Sequence, residues 1–429
     1  MKTRRYRNHL LPAVLTVLFC MTVLVGQALA QGWEVSIKPD LRGPRTFLAV
    51  DKSSQTFYVF EQHSPLKIAG QYTCATGQAL GDKLKEGDLR TPEGVYFIQN
   101  RMSSGLDYSL YGDLAFTLDF PNPVDVINGK SGGGIWIHGR GKELSPNETH
   151  GCVAINTPDL HKLDGTFTRG MPVIIASRVD YVTDVKEQSA DAAELTNLTM
   201  AWAKAWQRRS DEFFAFHDPE KFALSSGAPF KAFVDHKKQL FSSLPWLQVV
   251  LDNVQAIAGP GYWVTYFGQY YRSPSLTSEG IKRLYWQRDK AGQWRIVGME
   301  MDECNLGLEA KYLNRASQEI ASLLESWRAA WEKGNVNEYV SYYADKAVQG
   351  DRRGRASIKE QKQALWAAKA PKKVVIKDIR VRVHGDGVEA EFIQEYAAKD
   401  GTSDKGRKLM TFAPQGDGWA ITGEEWSKM

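Results

Sequence analysis

Short hydrophobic runs, separated by residues that favour turns, fill the chain from about residue 47 to residue 176. The runs cover residues 47–51, 56–60, 94–98, 134–138 and 172–176. Gly, Pro, Asn and Asp between runs of this length are typical of strands joined by turns, so the pattern predicts a β-rich domain. A polar, acidic stretch from Asp184 to Asp191 then precedes a helical period that begins near Ala192. We therefore place a domain boundary near residue 185.

The rest of the chain carries one pattern twice, and the second copy is displaced by 125 residues. The corresponding landmarks are Trp202 and Trp327, Trp206 and Trp331, Arg283-Leu284 and Lys408-Leu409, and Trp294 and Trp419. Each copy predicts a helix with paired tryptophans, a second helical stretch and strands that end in a hairpin. Two copies are too few for a solenoid, so we expect two tandem α+β domains. Aromatic residues at helical spacing generally face inward, which favours a core role for the tryptophans over a sugar-stacking surface.

The first thirty residues predict a secretory signal peptide. Four basic residues precede an apolar run from Leu10 to Val25, and Ala28-Leu29-Ala30 provides a cleavage site before Gln31. The alternative is an uncleaved membrane anchor, but the run is short for a bilayer core of about 30 Å. We therefore expect export across the inner membrane to the periplasm or cell envelope.

The net charge argues against a nucleic-acid partner. The whole chain carries +4, and removal of the four basic residues of the leader leaves 50 basic and 50 acidic residues. A protein that tracks phosphates needs a clustered basic excess, and no local block of Lys and Arg supplies one.

The expected organisation is a signal peptide at residues 1–30, a β-rich domain at 31–180, and α+β domains at 190–305 and 315–429. Only Cys74, Cys152 and Cys304 follow the leader, which is too few for a disulfide scaffold in an exported protein. Cys74 lies in an apolar strand pattern and is expected in the core. The histidines of the second half are scattered without ligand spacing, so we predict no metal site.

The pattern that carries chemistry lies between Ile135 and Val153. A strand ends in His138-Gly139, and ten residues later the chain reads Thr149-His150-Gly151-Cys152. A thiol becomes a useful nucleophile when a neighbouring base favours the thiolate, and a histidine from a separate element is a common source. The glycines allow backbone N–H groups to approach a developing oxyanion.

This motif resembles the signature of the YkuD-like L,D-transpeptidases. The upstream segments 48–60, 75–77 and 87–96 resemble that family's first hairpin, its Thr-Gly element and its Thr-Pro-x-Gly element, so the resemblance spans roughly residues 45–177. The two following copies resemble the NTF2-like (SnoaL-like) cone fold in pattern. The expected fold is therefore multidomain α+β, with a β-rich catalytic domain and two NTF2-like domains.

The resemblance implies a reaction with peptidoglycan stem peptides. Cys152 would attack the carbonyl of the L-centre and form a thioester as D-alanine leaves, with His138 as the base and a carbonyl near Gly139 orienting its ring. The N–H groups of Gly151 and Cys152 would hold the oxyanion, while Thr149 and His150 would shape the pocket. No metal or organic cofactor is implied.

The fate of the thioester leaves alternatives open. An acceptor amine would give a 3→3 cross-link, which makes the protein an L,D-transpeptidase, and water would make it an L,D-carboxypeptidase, an activity that family members with an NTF2-like domain use to set cell shape. A third alternative is a non-catalytic scaffold that binds the cell wall. The NTF2-like domains would contact a partner protein or a second copy of the chain.

One position departs from the family pattern. The family commonly places Arg or Asn two residues after the nucleophile, whereas this chain has Ala154 there. We therefore expect another cation to meet the substrate carboxylate, and the candidates are Arg140, Arg90 and Lys85.

Overall fold

The computed structural model describes residues 32–183 and 189–429. The predicted signal peptide and the predicted boundary near residue 185 lie outside the described residues. The chain divides into two compact units, one up to residue 187 and one from residue 188. Across the described residues, no helix has both the length and the apolar character that a membrane span requires.

Strands dominate the described part of the first unit. The strands are β1 (Glu34–Ile37), β2 (Phe47–Asp51), β3 (Thr56–His63), β4 (Leu66–Ala75), β5 (Gly94–Met102), β6 (Ala115–Leu118), β7 (Trp136–His138), β8 (Val153–Ile155), β9 (Pro172–Ala176) and β10 (Arg178–Tyr181). The helices are α1 (Tyr108–Tyr111), α2 (Pro123–Ile127) and α3 (Thr157–Leu163).

Eight of these strands close into a barrel in the order β2-β3-β4-β8-β7-β6-β5-β9. Most neighbours are antiparallel, but β2 pairs with β9 and β7 pairs with β8 in parallel. β-branched and aromatic side chains, which pack well on a pleated sheet, fill the interior. The interior residues include Leu48, Val50, Phe57, Val59, Cys74, Tyr96, Phe116, Ile137, Val153, Val173 and Ile175. The predicted β-rich domain and the core position of Cys74 are confirmed.

The second unit begins with helices and continues with strands, and then repeats this order. The first repeat contains α4 (Ala190–Arg208), α5 (Glu212–Ala215), α6 (Pro219–Ser226), α7 (Phe230–Ser243), β11 (Gln248–Gly259), β12 (Tyr262–Arg272), β13 (Thr277–Arg288) and β14 (Trp294–Glu303). The second repeat contains α8 (Leu308–Glu332), α9 (Val336–Ser341), β15 (Tyr343–Gln349), β16 (Arg352–Arg353), α10 (Arg355–Ala368), β17 (Pro371–His384), β18 (Gly387–Ala398), β19 (Ser403–Gln415) and β20 (Gly418–Lys428).

Each repeat packs its first long helix on a sheet. The sheet orders are β11-β12-β13-β14 in the first repeat and β16-β15-β20-β19-β18-β17 in the second. Trp202 of α4 and Trp327 of α8 are 1% and 0% exposed, respectively, and each lies in its own hydrophobic core. This confirms the prediction of α+β repeats with the tryptophans in the core.

The strand register corrects one part of the predicted repeat. The sequence offset matches Arg283 with Lys408, but Phe267 pairs with Lys282 in the first repeat and the corresponding Phe392 pairs with Lys408 in the second. The connection that precedes Lys408 is one residue longer, because Phe392 and Lys408 are 16 positions apart and Phe267 and Lys282 are 15. Lys282 is therefore the structural counterpart of Lys408.

A buried ionic network lies inside the second repeat. The Glu424 carboxylate accepts hydrogen bonds from Lys408 and Tyr343 and, at 2.5 Å, from Gln349 Nε2. Burial opposes ionisation of Glu424, but the charges of Lys408 and Lys362 and the hydrogen bonds outweigh it and lower its pKa to about 2. The ionised carboxylate thus offsets one of the two buried ammonium charges and links β15, β19 and β20.

The substitution Glu424→Gln should strongly destabilise the second repeat, because it leaves two buried ammonium groups without an anion. We expect the free energy of unfolding to fall by about 3–5 kcal/mol, measured by chemical denaturation of the whole chain. The pKa of Glu424 is lowered from 4.5 to about 2, so the stabilisation is fully present above pH 4.5 and is lost as the pH falls towards 2. The exposed neighbour Glu425 provides the control, Glu425→Gln, and equal effects of both substitutions would contradict the prediction.

Candidate active site

The parallel pairing of β7 with β8 brings the predicted nucleophile and base together. Ile137 pairs with Val153, and His138 pairs with Ala154. Successive side chains of a strand point to opposite faces. Ile137 and Val153 fill the barrel interior, so His138 and the residue before Val153, Cys152, lie on the other face.

The backbone fixes the orientation of His138. Its Nδ1 lies 2.5 Å from the carbonyl oxygen of Gly139, which can only accept a hydrogen bond, so Nδ1 carries the proton and Nε2 is free to act as an acceptor. The Tyr111 ring packs edge-on against the imidazole, with 5.1 Å between ring centroids. Burial lowers the pKa of His138 to about 4, so the imidazole is neutral at ordinary pH. The predicted carbonyl that orients the ring is confirmed.

The Cys152 thiol is turned towards the backbone that leads into β7. Its Sγ donates a hydrogen bond to the carbonyl oxygen of Gly134 at 3.3 Å. Burial of the sulfur raises the pKa of the thiol to about 11, and a backbone hydrogen bond with Trp136 and the charge of Lys83 oppose this rise only in part. The thiol and the imidazole of His138 therefore both rest uncharged, and the thiolate forms only when a proton is removed.

Thr149 holds the turn that presents the nucleophile. Its Oγ1 donates to the carbonyl oxygen of Cys152 at 2.7 Å and accepts from the N–H of Gly151 at 3.1 Å. This second bond contradicts the expectation that the Gly151 N–H faces an oxyanion, because that donor is already used within the turn. The Cys152 N–H is the remaining candidate of the predicted pair.

Only glycine fits at position 151. Its φ of +131° is rarely adopted by L side chains. A Cβ atom built there would also lie 2.8 Å from the carbonyl oxygen of Arg90. The turn before Cys152 therefore packs directly against the end of the loop that contains residues 77–91.

A buried ion pair shapes that loop. Lys83 Nζ lies 2.8 Å from Asp88 Oδ1, and the side chains are 4% and 9% exposed. Burial opposes ionisation of Asp88, but hydrogen bonds from Lys83 and from the backbone N–H groups of Leu84, Lys85 and Arg90 lower its pKa to about 2. The paired charges hold Lys83 within electrostatic reach of the Cys152 thiol.

The three predicted substrate cations differ in their surroundings. The Arg140 guanidinium donates to the carbonyl oxygen of Leu110 at 3.1 Å and lies 3.3 Å from Glu148. These contacts occupy Arg140 in the structure and do not support a direct role in substrate binding. Arg90 is half-buried beside Gly151 and donates to the carbonyl oxygen of Asp82 at 3.3 Å, while Lys85 is exposed on the loop.

Other residues of the site emerge only from the structure. His150 is exposed, so its side chain does not enclose the thiol. Tyr111, which also lies 5.1 Å from Trp136, and the buried Lys83 were missed by the sequence analysis. Lys83 lies in the same glycine-bounded loop as Lys85, but the sequence did not indicate which lysine turns inward. Among residues 32–183 and 189–429, no group of three or more His, Cys, Asp and Glu side chains could hold a metal ion.

Comparisons with known families cover both units. Residues 45–175 match the family model YkuD, described as the L,D-transpeptidase catalytic domain. Residues 194–300 and 319–425 each match the Cds6 C-terminal NTF2-like domain.

The sequence identity to individual relatives is low. The chain is 25% identical over 152 residues to the candidate L,D-transpeptidase YafK of Escherichia coli K12, and the match covers 33% of this chain and 56% of that protein. The chain thus spans little more than half the length of this relative. Among solved structures, it is similar to Bdellovibrio bacteriovorus Bd1075, with 24% identity, coverage of 63% and 97% of the two chains, and a TM-score of 0.48. The helical cell shape determining protein Pgp2 from Campylobacter jejuni has 22% identity, coverage of 66% and 98%, and a TM-score of 0.47.

We expect kcat/KM to fall on the acid side at a pH close to the lowered pKa of His138. A base must be neutral, and burial brings the pKa of this imidazole to about 4, so activity should persist as the pH falls from 7 to 5 and be lost near 4. The measurement is the pH profile of kcat/KM for release of the terminal amino acid from a tetrapeptide. An acid limb centred near 6.5, the pKa of an ordinary histidine, would contradict this account of the site.

The substitution Gly151→Ala should impair catalysis. The strain of a side chain at this φ, roughly 1–3 kcal/mol, and the contact with Arg90 should displace Cys152 and lower kcat/KM about tenfold to a hundredfold. Gly133→Ala is the matched control, since a Cβ there meets no atom within 4 Å. Steady-state kinetics would test both variants, and equal activities would show that the turn tolerates a side chain.

Proposed function

We propose that this chain, which joins a YkuD L,D-transpeptidase catalytic domain to two NTF2-like domains, is an enzyme of the cell envelope. It acts on peptidoglycan stem peptides through a thioester on Cys152. The observation that supports the proposal is the parallel pairing of β7, which ends in His138, with β8, which begins directly after Cys152. The hydrogen bond that leaves Nε2 of His138 unprotonated supports the role of base. The predicted signal peptide supports a periplasmic or envelope location.

In the first half-reaction, Nε2 of His138 removes the proton from the Cys152 thiol as the sulfur attacks the carbonyl carbon of the L-centre. This step forms a C–S bond and moves an electron pair onto the carbonyl oxygen, where the Cys152 N–H can donate a hydrogen bond. When the tetrahedral intermediate collapses, the bond to the terminal D-alanine nitrogen breaks. The imidazolium returns its proton to the leaving amine, and a thioester remains.

The neutral resting pair requires proton transfer to accompany attack. An imidazole whose pKa is about 4 does not hold the proton of a thiol whose pKa is about 11 before attack, so thiolate character develops only as the C–S bond forms. The imidazole accepts the proton only during attack, so charge separation develops with bond formation. Arg90, beside the turn, and Lys85, on the loop, are our candidates for contacts with the stem carboxylates.

The second half-reaction decides the physiological product. We propose transpeptidation, in which the side-chain amine of a neighbouring stem attacks the thioester and gives a 3→3 cross-link. Hydrolysis of the same thioester would convert a tetrapeptide into a tripeptide and would make the protein an L,D-carboxypeptidase. Both outcomes use Cys152 and His138 in the same roles.

The test is mass spectrometry of a disaccharide tetrapeptide and of intact sacculi after incubation with the mature protein. We expect 3→3 dimers with the wild-type protein and with Cys304→Ala, which removes a thiol of the second unit, and none with Cys152→Ala. Tripeptide without dimers would replace the transpeptidase with a carboxypeptidase. No change in either substrate would contradict an enzymatic role and favour a non-catalytic scaffold that binds the cell wall.

A further inference from the structure

The two repeats share a lysine that lies over a tryptophan. Lys237 Nζ lies 4.6 Å from the centre of the Trp206 ring, and Lys362 Nζ lies 5.4 Å from that of Trp331. Both members of the contact keep the 125-residue offset. A second lysine that the repeats share lies on the sheet: Lys282 in the first repeat and Lys408 in the second.

The second repeat supplies its own anion for these lysines. Glu424 is 5% exposed and pairs with Met410 of β19, on the same sheet face as Lys408. Its carboxylate forms an ion pair with Lys408, and Lys362 acts on it through its charge. The chain itself therefore supplies one anion for the two buried lysines of this repeat.

The first repeat has a methionine where the second has this carboxylate. Leu284 of β13 pairs with Met299, as Met410 pairs with Glu424, and Met299 and Glu424 are 125 positions apart. Lys282, on whose charge Lys237 acts, thus lies on a sheet face that carries Met299 where the second repeat carries Glu424. The charge of Glu300 acts on Lys282, but Glu300 pairs with Arg283 on the opposite face of the sheet.

His217 marks the same place in the first repeat. It bridges to Ile296, as Tyr343 pairs with Ile421 in the second repeat. His217 is 3% exposed, and neither ring nitrogen has a hydrogen-bond partner of ordinary geometry in the described part of the chain. Burial lowers its pKa to about 3, against hydrogen bonds with the backbone of Phe214 and Phe213, and the charges of Lys282 and Lys237 lower it further.

Access also differs between the repeats. Lys362 and Lys408 are 8% and 3% exposed, whereas Lys237 and Lys282 are only half-buried. The two lysines of the first repeat are therefore more exposed to solvent than their counterparts. The side chains beside them, Trp206, Phe233 and Phe267, are aromatic.

We propose that the first repeat binds an organic carboxylate whose carboxylate group lies between Lys237 and Lys282, next to His217, at the place that Glu424 occupies in the second repeat. The aromatic side chains contact the apolar body of the ligand. Burial lowers the pKa of both lysines to about 8, and a bound anion would restore their protonated forms. The site does not involve Cys152, so the proposal stands independently of the enzymatic reaction.

The test is isothermal titration calorimetry of the mature chain with octanoate, and with octanamide as the uncharged control. We expect octanoate to bind and octanamide to bind at least about tenfold more weakly, since hydrogen bonds to charged groups are the stronger ones. Competition by a tetrapeptide stem would identify a peptide as the source of the carboxylate, and octanoate binding without competition would identify a lipid. Equal binding of octanoate and octanamide, or no binding of octanoate and the stem, would overturn the proposal.

Two substitutions and one control test the position of the site. Lys282→Met should weaken octanoate binding at least about tenfold, and Lys290→Met, at an exposed turn, should not. Met299→Glu should abolish binding because it supplies the carboxylate internally, and it should keep the thermal stability of the chain, as the second repeat folds around the same pair. Unchanged octanoate affinity in Met299→Glu would contradict the proposed position.

Discussion

The parallel pairing of two three-residue strands, β7 and β8, is the constraint on which the candidate active site depends. It sends Ile137 and Val153 into the barrel core and thereby places His138 and Cys152 on the opposite face. Because the core residues cannot move without opening a cavity, the base and the nucleophile are held by packing. The turn at Thr149 and Gly151 and the carbonyl of Gly139 then set the direction of each reactive group.

Burial determines the protonation states of this pair. It raises the pKa of the Cys152 thiol and lowers that of the His138 imidazole, so both groups rest uncharged. A site with neighbouring cations would hold a thiolate in advance, but here Lys83 is already paired with Asp88. The reaction that we propose is therefore that of a base-assisted thiol, in which a backbone carbonyl and not a carboxylate orients the histidine.

The sequence predicted the elements whose patterns are local. The barrel strands, the paired tryptophans and the roles proposed for Cys152 and His138 follow from short motifs and periodicity. Side-chain contacts within the loops were beyond it, because loop residues follow no periodic pattern. These contacts are the use of the Gly151 N–H by Thr149, the ion pair that turns Lys83 inward, and the occupation of Arg140 by Glu148. The sequence matched Arg283 with Lys408, whereas the strand register shows that Lys282 is the counterpart of Lys408. A connection that is one residue longer shifts the register, and the sequence pattern carries no visible signal of that shift.

The account's central claim is that Cys152 is a nucleophile that forms acyl intermediates, and peptide mapping after exposure to a carbapenem tests it most directly. Cys74 is buried in the barrel with its pKa raised to about 12, and Cys304 lies in the second unit, so both serve as internal references. We expect a covalent acyl adduct on Cys152 alone, lost in His138→Ala. No adduct on Cys152, or equal modification of Cys304, would contradict it.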